Sequence, residues 1–408
     1  MQRYDSYKDS GVKWLGEIPS HWEVKRLASY FTERRVKVSD KEYEPLSVTK
    51  LGVFPQWENV AKTNDGDNRK LVKKGDFVIN SRSDRKGSSG VADRDGSVSL
   101  INIVLKPRNT IRADFSNYLL KSYKFIEEYY RNGRGIVADL WTTRYDEMKM
   151  IKLAVPPLEE QTAIAAYLDT ATSKIDAAIA QQQKMIDLLN ERKQIIINRA
   201  VTKGLNPNAK MKDSGVEWIG EVPEHWQLLP YRYLFYNLDK LRMPITADQR
   251  SRNNPQYDYY GASGVIDKID FYNVDDKVLL IGEDGANLLM RNLPLIYKAE
   301  GKFWVNNHAH ILKPIRDDYD YLAYVMEAAD YTLYITGSAQ PKLSQSNLNC
   351  VKLPIPPISE QKQIVDYLSK RTGKIDDAIK ESNNMISLLQ ERKQIIINEV
   401  VTGKVKMG

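Results

Sequence analysis

The chain repeats two of its own segments at a nearly constant spacing. Residues 156–202 recur as 356–402 with 27 of 47 positions identical, and a short box at 8–22 recurs as 212–226 with 11 of 15 identical. The longer segment that follows each box differs between the two copies. A duplication of this length predicts a pseudo-twofold frame that carries two unlike domains, a layout suited to a bipartite target.

Each repeated segment at 156–202 and 356–402 carries an apolar repeat of seven residues. In the first copy the heptad positions hold Leu168, Ile175, Gln182, Leu189 and Ile196, and the interleaved positions hold Ala171, Ala178 and Met185. A repeat sustained over four heptads is typical of a coiled-coil seam. The Pro-Pro pair before each copy favours a helix start, so the first helix would run from Leu158 to about Ala200 and span ~65 Å.

The linker between the first helix and the second box favours an antiparallel pair. This linker is short and polar, and it reaches ~35 Å at most when extended. Parallel helices would require it to run back along a whole helix. We therefore predict an antiparallel coiled coil, with two amphipathic helices packed on separate domains as the alternative.

Composition sets broad limits on the class of protein. The net charge of +7 is compatible with nucleic-acid binding but does not establish it. A single cysteine, Cys350, excludes an internal disulfide framework and suits a reducing compartment. No apolar run approaches 18 residues, so we expect no membrane span and a cytoplasmic location.

The two variable segments share an order of predicted elements. Each has a strand, a glycine-marked turn, a strand closed by Lys-Pro, an amphipathic helix and a second glycine-marked loop. In the first segment the first strand, the turn, the second strand and the helix are predicted at 75–80, 82–90, 97–105 and 119–130, and in the second at 278–281, 282–285, 308–312 and 322–334. These are mixed α/β heads with similar frames and different loops.

Polar residues in the loops of each head are candidates for contact with DNA. Recognition residues normally lie on loops of a rigid scaffold, and Arg, Lys, Gln, Ser and Thr can bond bases or phosphates. The candidates are Arg82, Arg85, Lys86, Ser88, Arg131, Arg134, Thr142, Thr143 and Arg144 in the first head and Tyr257, Tyr259, Tyr260, Ser263, Gln340, Lys342, Ser344 and Gln345 in the second. Each of them could instead be an ordinary surface residue, and Tyr259 and Tyr260 could equally belong to a structural turn with a buried ring.

Motifs for catalysis are scarce in the sequence. It has no GxxxxGK[ST] phosphate loop and no Asn-Pro-Pro-Tyr methyltransferase motif. The four histidines have no metal-ligand spacing, and His21 and His225 each precede a tryptophan, which suggests packing. One nuclease-like trio, Asp284 with Glu300 and Lys302, could hold magnesium. We predict no catalytic residue, no metal site and no bound cofactor.

The repeated boxes resemble the specificity subunit of Type I restriction-modification systems, over essentially the whole chain. The resemblance is carried by residues 213–223 with His225 and Trp226, their first copy from Asp9, Pro156–Gln161 and Pro356–Gln361, the helix ends at 188–194 and 388–394, and the head motifs at 259–266, 282–286 and 337–344. The first head keeps fewer of these motifs, as expected if it reads a different half-site.

The resemblance implies a DNA-recognition subunit without catalytic activity. Each head would read one half of a split DNA sequence, and the helices would set the gap. Two methyltransferase subunits would dock on the helices, and motor-nuclease subunits would complete the complex. S-adenosylmethionine, ATP and magnesium would belong to those partners. The resemblance places the methyltransferase contacts at Glu191, Arg192, Lys193, Gln194, Glu391, Arg392, Lys393 and Gln394, although repetition there could reflect packing within the chain.

The predicted architecture is a multidomain α/β (α+β) protein with an internal pseudo-twofold repeat. It comprises a first target recognition domain at 1–155 with the box 8–22, a long helix at 156–202, a linker and second target recognition domain at 203–355 with the box 212–226, and a second long helix with a tail at 356–408. Two other functions stay open: a coiled-coil adaptor that binds only proteins, and a magnesium-dependent nuclease.

Overall fold

The computed structural model describes residues 2–56, 66–135, 141–246, 250, 255–337 and 341–407. The chain forms two compact units. The first unit comprises Met1–Gln183 and Asn383–Gly408, and the second comprises Lys184–Ser382. Each unit therefore contains one head, part of the first long helix and part of the second.

Short strands and helices build each head. The strands of the first head are β1 (Tyr7–Asp9), β2 (Glu17–Pro19), β3 (Glu23–Arg26), β4 (Phe31–Glu33), β5 (Lys37–Val38), β6 (Leu46–Val48), β7 (Val53–Pro55), β8 (Arg69–Val72), β9 (Phe77–Asn80), β10 (Ser89–Val91), β11 (Gly96–Val98), β12 (Asn102–Pro107) and β13 (Lys152–Val155). Its helices are α1 (Ala113–Lys121), α2 (Tyr123–Arg131) and α3 (Tyr145–Met148), and the first long helix is α4 (Leu158–Lys203).

The second half of the chain follows a similar order. Its strands are β14 (Met211–Asp213), β15 (Glu221–Pro223), β16 (Gln227–Pro230), β17 (Phe235–Asn237), β18 (Tyr257–Gly261), β19 (Gly264–Ile269), β20 (Val274–Gly282), β21 (Ile296–Val305), β22 (Ala309–Pro314), β23 (Ile335–Thr336), β24 (Lys342–Leu343) and β25 (Lys352–Ile355). Its helices are α5 (Gly285–Met290), α6 (Tyr319–Ala328), α7 (Gln345–Leu348) and the second long helix α8 (Ile358–Val401).

The two long helices pack in antiparallel orientation, as predicted. In the first unit Lys393 of α8 pairs with Asp176 of α4, and in the second unit Lys193 of α4 pairs with Asp376 of α8. From the first contact to the second, the residue number rises along α4 and falls by the same amount along α8, as in an antiparallel pair. Both helices begin directly after their Pro-Pro pairs, where the fixed φ of proline suits a helix start.

The seam between the helices differs in one detail from the prediction. Leu168 and Ile175 are buried in it as expected. At the last interleaved position, however, the seam is taken by the residue after the predicted one: Ile186 is 7% exposed, whereas Met185 is 47% exposed. Because adjacent residues are both apolar at this point of the repeat, the pattern alone does not decide which one faces the partner helix.

Both heads share a frame of three antiparallel strands. In the first head β12 lies between β9 and β4, and in the second β22 lies between β20 and β17. The strands end alike, because Pro107 pairs with Phe31 and Pro314 pairs with Phe235. The first head extends this frame with β10, whereas the second extends it with β21, β18 and β19 into a sheet of six strands.

Three of the predicted head elements have other bounds in the structure. The strand predicted at 97–105 is two strands, β11 and β12, of different sheets. The helix predicted at 119–130 is broken at Ser122, whose extended backbone caps α2. The helix predicted at 322–334 ends at Ala328, because the next residue is extended. Apolar periodicity continues across both breaks, so it did not reveal them.

The repeated boxes fasten each head to a long helix. The indole of the buried Trp22 donates to Glu160 at 3.1 Å, and His21 lies 2.7 Å from the same carboxylate. Trp226 and His225 contact Glu360 in the same manner, at 3.1 and 2.8 Å. The tryptophans are buried. The histidines, for which packing was predicted, are instead half exposed and contact the glutamate of the Pro-Pro-x-x-Glu-Gln motif.

The glutamine of that motif is buried in both copies. Gln161 accepts from the backbone N–H of Arg112 and donates to the carbonyls of Thr110 and Pro156. Gln361 accepts from the N–H of Asp318 and donates to the Pro356 carbonyl. Each glutamine thus joins the start of a long helix to the loop before a helix of its head, which explains why this residue is repeated.

In the part of the chain that the structure describes, no helix is both long and apolar enough to cross a membrane.

Candidate nucleic-acid interface

Three loops of the first head meet at one end of its sheet. The segment after β9 pairs with the segment before α3 through Arg82 and Thr142, and Thr142 also pairs with Arg134 after α2. The hydroxyl of Tyr130 donates to the carbonyl of Asn80 at 3.0 Å and thereby holds α2 against the end of β9. Residues far apart in the sequence are in this way brought to one surface.

This surface is basic and exposed. The side chains that it presents to solvent are those of Arg82, Arg85, Lys86, Arg131, Arg134 and Arg144. Several of them pair with acidic neighbours: Arg82 lies 3.1 Å from Asp84, and Lys86 lies 2.6 Å from Glu127. Exposed pairs of this kind are worth only ~0.2–1 kcal/mol, so a phosphate can replace the acidic partner at little cost.

Four of the predicted contact residues are buried instead. Thr143 is 0% exposed, and its hydroxyl donates to the Tyr129 carbonyl at 3.2 Å. Ser88, Tyr259 and Tyr260 are also buried, Tyr259 at 1%. Because their side chains offer no surface to a duplex, these four are framework residues in this structure. Small polar residues and tyrosines occur in turns and cores alike, so sequence type did not separate the two roles.

Apolar residues at the same end of the first head were missed by sequence reasoning. Trp141 is 37% exposed beside Thr142, and the turn between β11 and β12 exposes Leu100 at 40% and Ile101 at 43%. Leu100 and Ile101 line a cavity of about 590 Å³ together with Arg82 and Arg144. Apolar side chains can contact the thymine methyl group. Trp141 lies three residues before Arg144, which was the available sequence signal, whereas Leu100 and Ile101 have no basic neighbour in the sequence.

The second head gathers its loops around the end of β20. Gly282 at this end has no room for a side chain, because a Cβ atom would lie 2.6 Å from the carbonyl oxygen of Ala262. The exposed Ser263 follows in the turn between β18 and β19. Asp284 pairs through its backbone with Lys342, whose Nζ lies 3.4 Å from Glu283. Ser263 and Lys342 are therefore held at one edge of the sheet.

The other predicted contacts of the second head have mixed placements. Gln345 is exposed at the start of α7, and Ser344 caps that helix by accepting from the N–H of Asn347 at 3.2 Å. Tyr257 is half-buried and packs edge-on against Tyr272, with 5.3 Å between the ring centroids. Gln340 lies outside the described residues.

The structure separates the trio that a magnesium nuclease would need. Glu300 pairs with Lys277 across the strands β20 and β21. Asp284 lies seven residues further along the chain from Lys277, beyond the far end of β20, which corresponds to about 20 Å. One magnesium ion binds its ligands at about 2 Å, so it cannot contact both carboxylates. Among the described residues, no cluster of three His, Cys, Asp or Glu side chains could hold a metal ion.

Two of the residues that were predicted to contact the methyltransferase instead form contacts within the chain. Lys193 and Lys393 are half-buried and form the ion pairs between the long helices. The remaining six, Glu191, Arg192, Gln194, Glu391, Arg392 and Gln394, are exposed.

Each unit also exposes an apolar stripe on a long helix. On α4 the stripe consists of Met185, Leu188 and Ile195, which are 47%, 51% and 59% exposed. Its copy on α8 consists of Met385, Leu388 and Ile395, which are 46%, 59% and 47% exposed. Positions three and seven apart share one helix face, so each stripe is continuous and lies beside the helix seam rather than in it.

Comparison with known proteins gives this arrangement a family. The model described as Type I restriction modification DNA specificity domain matches residues 19–186 and 235–387. The chain is 25% identical over 441 residues to the MjaX type I restriction enzyme specificity subunit of Methanocaldococcus jannaschii, with 98% of each chain covered. It is 24% identical over 459 residues to the MjaVIII specificity subunit of the same organism, with 98% of this chain and 97% of that one covered.

A solved structure concerned with complex assembly and conformational transition of the type I R-M system contains a chain of the same fold. The TM-score is 0.67 at 14% identity, over 95% of this chain and 99% of that one. The family model covers most of the chain, and the relatives align with it from end to end. The chain therefore belongs to the family of the Type I restriction modification DNA specificity domain.

Proposed function

We propose that this chain is the DNA specificity subunit of a Type I restriction-modification complex, in which each head reads one half of a bipartite DNA site. One observation carries the proposal: two heads with a common strand frame and different loop chemistry are fastened to repeated helices in a chain of the specificity family. Because the strand frame is shared, both heads can approach a duplex in the same orientation. Because the loops differ, each head can select a different base sequence.

The first head is proposed to bind through its basic surface. Arginine can bond guanine O6 and N7 with two hydrogen bonds, and phosphates accept from any of these cations. The second head presents fewer predicted contact residues to solvent than the first, and they are of different chemical types. They are Ser263, Lys342 and Gln345. Such groups suit a different base sequence, with glutamine able to pair with adenine.

The long helices are proposed to set the gap between the two half-sites. The first head packs on the start of α4, since Leu168 belongs to its core, and the second head packs on the end of α4, since Val201 belongs to its core. The number of helix residues between these attachment points would then determine the spacing, because a helix rises ~1.5 Å per residue.

The apolar stripes are proposed to dock two methyltransferase subunits, one on each unit. Leu188 and Ile195 lie around the exposed Arg192, and Leu388 and Ile395 lie around the exposed Arg392. Exposed aliphatic residues in a row at helical spacing are the usual surface for a partner helix. Matching stripes imply identical partners, and the catalytic chemistry with its S-adenosylmethionine, ATP and magnesium would reside in the partner subunits.

The DNA-reading proposal is tested with duplexes that contain randomised bases. The full chain is incubated with this library, and bound duplexes are sequenced. We expect two enriched blocks separated by a gap without preference, with binding that weakens steeply as salt is raised. Absence of any enriched sequence, in the presence and in the absence of the methyltransferase chain, would favour the protein-only adaptor. Cutting of DNA by the purified chain with magnesium would favour the nuclease.

Exchange of one head tests whether the heads act independently. Replacing residues 23–155 by the first head of another family member should change one enriched block and leave the second block intact. A change in both blocks would contradict independent reading.

The docking proposal is tested with the pair of substitutions L188D and I195D. We expect co-purified methyltransferase to fall by about half, and to be lost when L388D and I395D are added, because a buried unpaired carboxylate is costly at an interface. Leu333→Asp is the matched control, since Leu333 is 84% exposed in the second head, outside the long helices. Unchanged methyltransferase binding by the fourfold variant would refute the assignment.

A further inference from the structure

His310 of β22 lies buried between two hydrogen-bond acceptors. Its side chain is 1% exposed. The Nδ1 atom lies 2.6 Å from Oδ2 of Asp239, and the Nε2 atom lies 2.8 Å from the carbonyl oxygen of Leu343. These partners are 71 and 33 residues away in the sequence.

The contact with Leu343 requires a proton on one ring nitrogen. A backbone carbonyl can only accept a hydrogen bond, so Nε2 donates to Leu343. Burial acts to raise the pKa of Asp239, but hydrogen bonds from His310 and from the N–H of Ile311 lower it below its usual range. The ring of His310 is therefore held in one orientation, with Nδ1 towards Asp239 and Nε2 towards Leu343.

Charged groups from three neighbouring segments surround this ring. Asp239 and Arg242 follow β17, Glu283 follows β20 and Lys342 belongs to β24. Arg242 lies 2.6 Å from Glu283 and 3.6 Å from Asp239. A buried polar ring is tolerated when it is hydrogen-bonded in this manner.

The first head has no histidine at the position equivalent to His310. Strands β12 and β22 occupy equivalent places, and both end at a proline that pairs with phenylalanine. Counting back from these prolines, the residue equivalent to His310 is Ile103, which is 3% exposed.

The hydrogen bond from His310 holds in place a segment that carries predicted recognition residues. Leu343 is fully buried; its N–H donates to the carbonyl of Glu283 at 2.8 Å, and its carbonyl accepts from His310. Its neighbours Lys342, Ser344 and Gln345 are candidates for DNA contact. Loss of the His310 bond would leave a buried carbonyl without a donor, a state that proteins avoid.

We propose that His310 is the positioning residue of the second recognition segment, and that DNA selection by the second head alone depends on its hydrogen bond to the Leu343 carbonyl. The inference rests on the proposed DNA-reading function. When the donor at Nε2 is removed, the bond that holds Leu343 to β22 is lost, and the segment at 342–345 is released.

Two variants test the positioning role. His310→Gln keeps one donor but places an amide oxygen against the Asp239 carboxylate, so we expect second-half selectivity to fall about tenfold to a hundredfold. In the double variant D239N with H310Q, the introduced asparagine can donate to the side-chain oxygen of the introduced glutamine, whose amide nitrogen donates to the Leu343 carbonyl. We expect the double variant to recover selectivity, a rescue that would not follow if His310 acted only by filling space.

The readout is the randomised duplex library, bound by the full chain. H310Q should weaken one enriched block and spare the block read by the first head. His225→Gln is the matched control, because His225 is an exposed histidine bonded to Glu360 and distant in sequence from this segment. It should leave both enriched blocks in place.

Nuclear magnetic resonance of ¹⁵N-labelled histidine gives a test that is independent of DNA. The Nε2 atom of His310 should carry the proton that it donates to Leu343, and H310Q identifies the signal. An unprotonated Nε2, or equal loss of both enriched blocks in H310Q with a folded first head, would overturn the inference. A wild-type chain that enriches no sequence would instead refute the proposed function.

Discussion

The Nζ atom of Lys393 lies 2.7 Å from both carboxylate oxygens of Asp176. The same contact occurs in the other unit, where Lys193 lies 2.6 Å from Asp376. These four residues are related by the sequence repeat, so one interaction between the long helices is made twice. The repeated Glu-Arg-Lys-Gln motif therefore serves packing within the chain through its lysine and exposes its other residues.

These ion pairs are expected to contribute little to stability. The carboxylates of Asp176 and Asp376 are 55% and 53% exposed, and exposed pairs are worth ~0.2–1 kcal/mol. Substituting both aspartates by Asn should lower the free energy of unfolding by less than about 2 kcal/mol. Leu168→Ala should lower it by ~2–5 kcal/mol, because Leu168 is fully buried in the seam. Urea denaturation measures both, and the reverse order would contradict the account of the seam.

The basic surface of the first head should govern binding to one half-site. Alanine at Arg82, Arg134 and Arg144 should reduce the salt dependence of binding and weaken the first enriched block about tenfold or more, since each good arginine–guanine pair is worth ~1–3 kcal/mol.

The matched control for these substitutions is Arg94→Ala. Arg94 follows β10 near Asp76, at the opposite end of β9 from Arg82, because Val91 pairs with Phe77. Its removal should leave both enriched blocks unchanged in the randomised library, and the affinity measured by fluorescence anisotropy should stay the same. An equal effect of R94A would mean that charge alone, rather than this surface, is responsible.

Two glycines, one inside α8 and one just after it, should respond in opposite ways to alanine. Gly403 follows α8 with a φ of 72°, and a Cβ atom there would lie 2.3 Å from Cδ of Pro19. Gly403→Ala should destabilise the first unit by more than ~1 kcal/mol. Gly373 lies inside α8 with nothing within 4 Å of its Cβ position, so Gly373→Ala should stabilise by ~0.5–1 kcal/mol. Thermal unfolding of both variants tests the pair.

Asp239 should make the second unit sensitive to acid. Its pKa in the folded chain lies below the ordinary value of about 3.9. Its contribution to folding is therefore fully present above that ordinary value and is lost as the pH falls through the lowered folded-state pKa. Asp239→Asn should flatten this part of the unfolding profile below about pH 4. An identical acid profile in the variant would show that other carboxylates account for the loss.

Much of the architecture followed from local sequence signals. The duplication predicted two heads on a repeated frame, the Pro-Pro pairs marked the starts of α4 and α8, and the short linker required antiparallel helices. These features depend on periodicity, on proline geometry and on chain length, all of which act over short distances along the sequence.

Tertiary structure alone decided which residues face solvent and which groups meet. It buried Thr143 and Tyr259, exposed Met185 rather than Ile186, and broke one predicted helix at Ser122. It also placed His310 between Asp239 and the carbonyl of Leu343. Such choices depend on packing between segments that are distant in the chain, and residue type by itself does not report them.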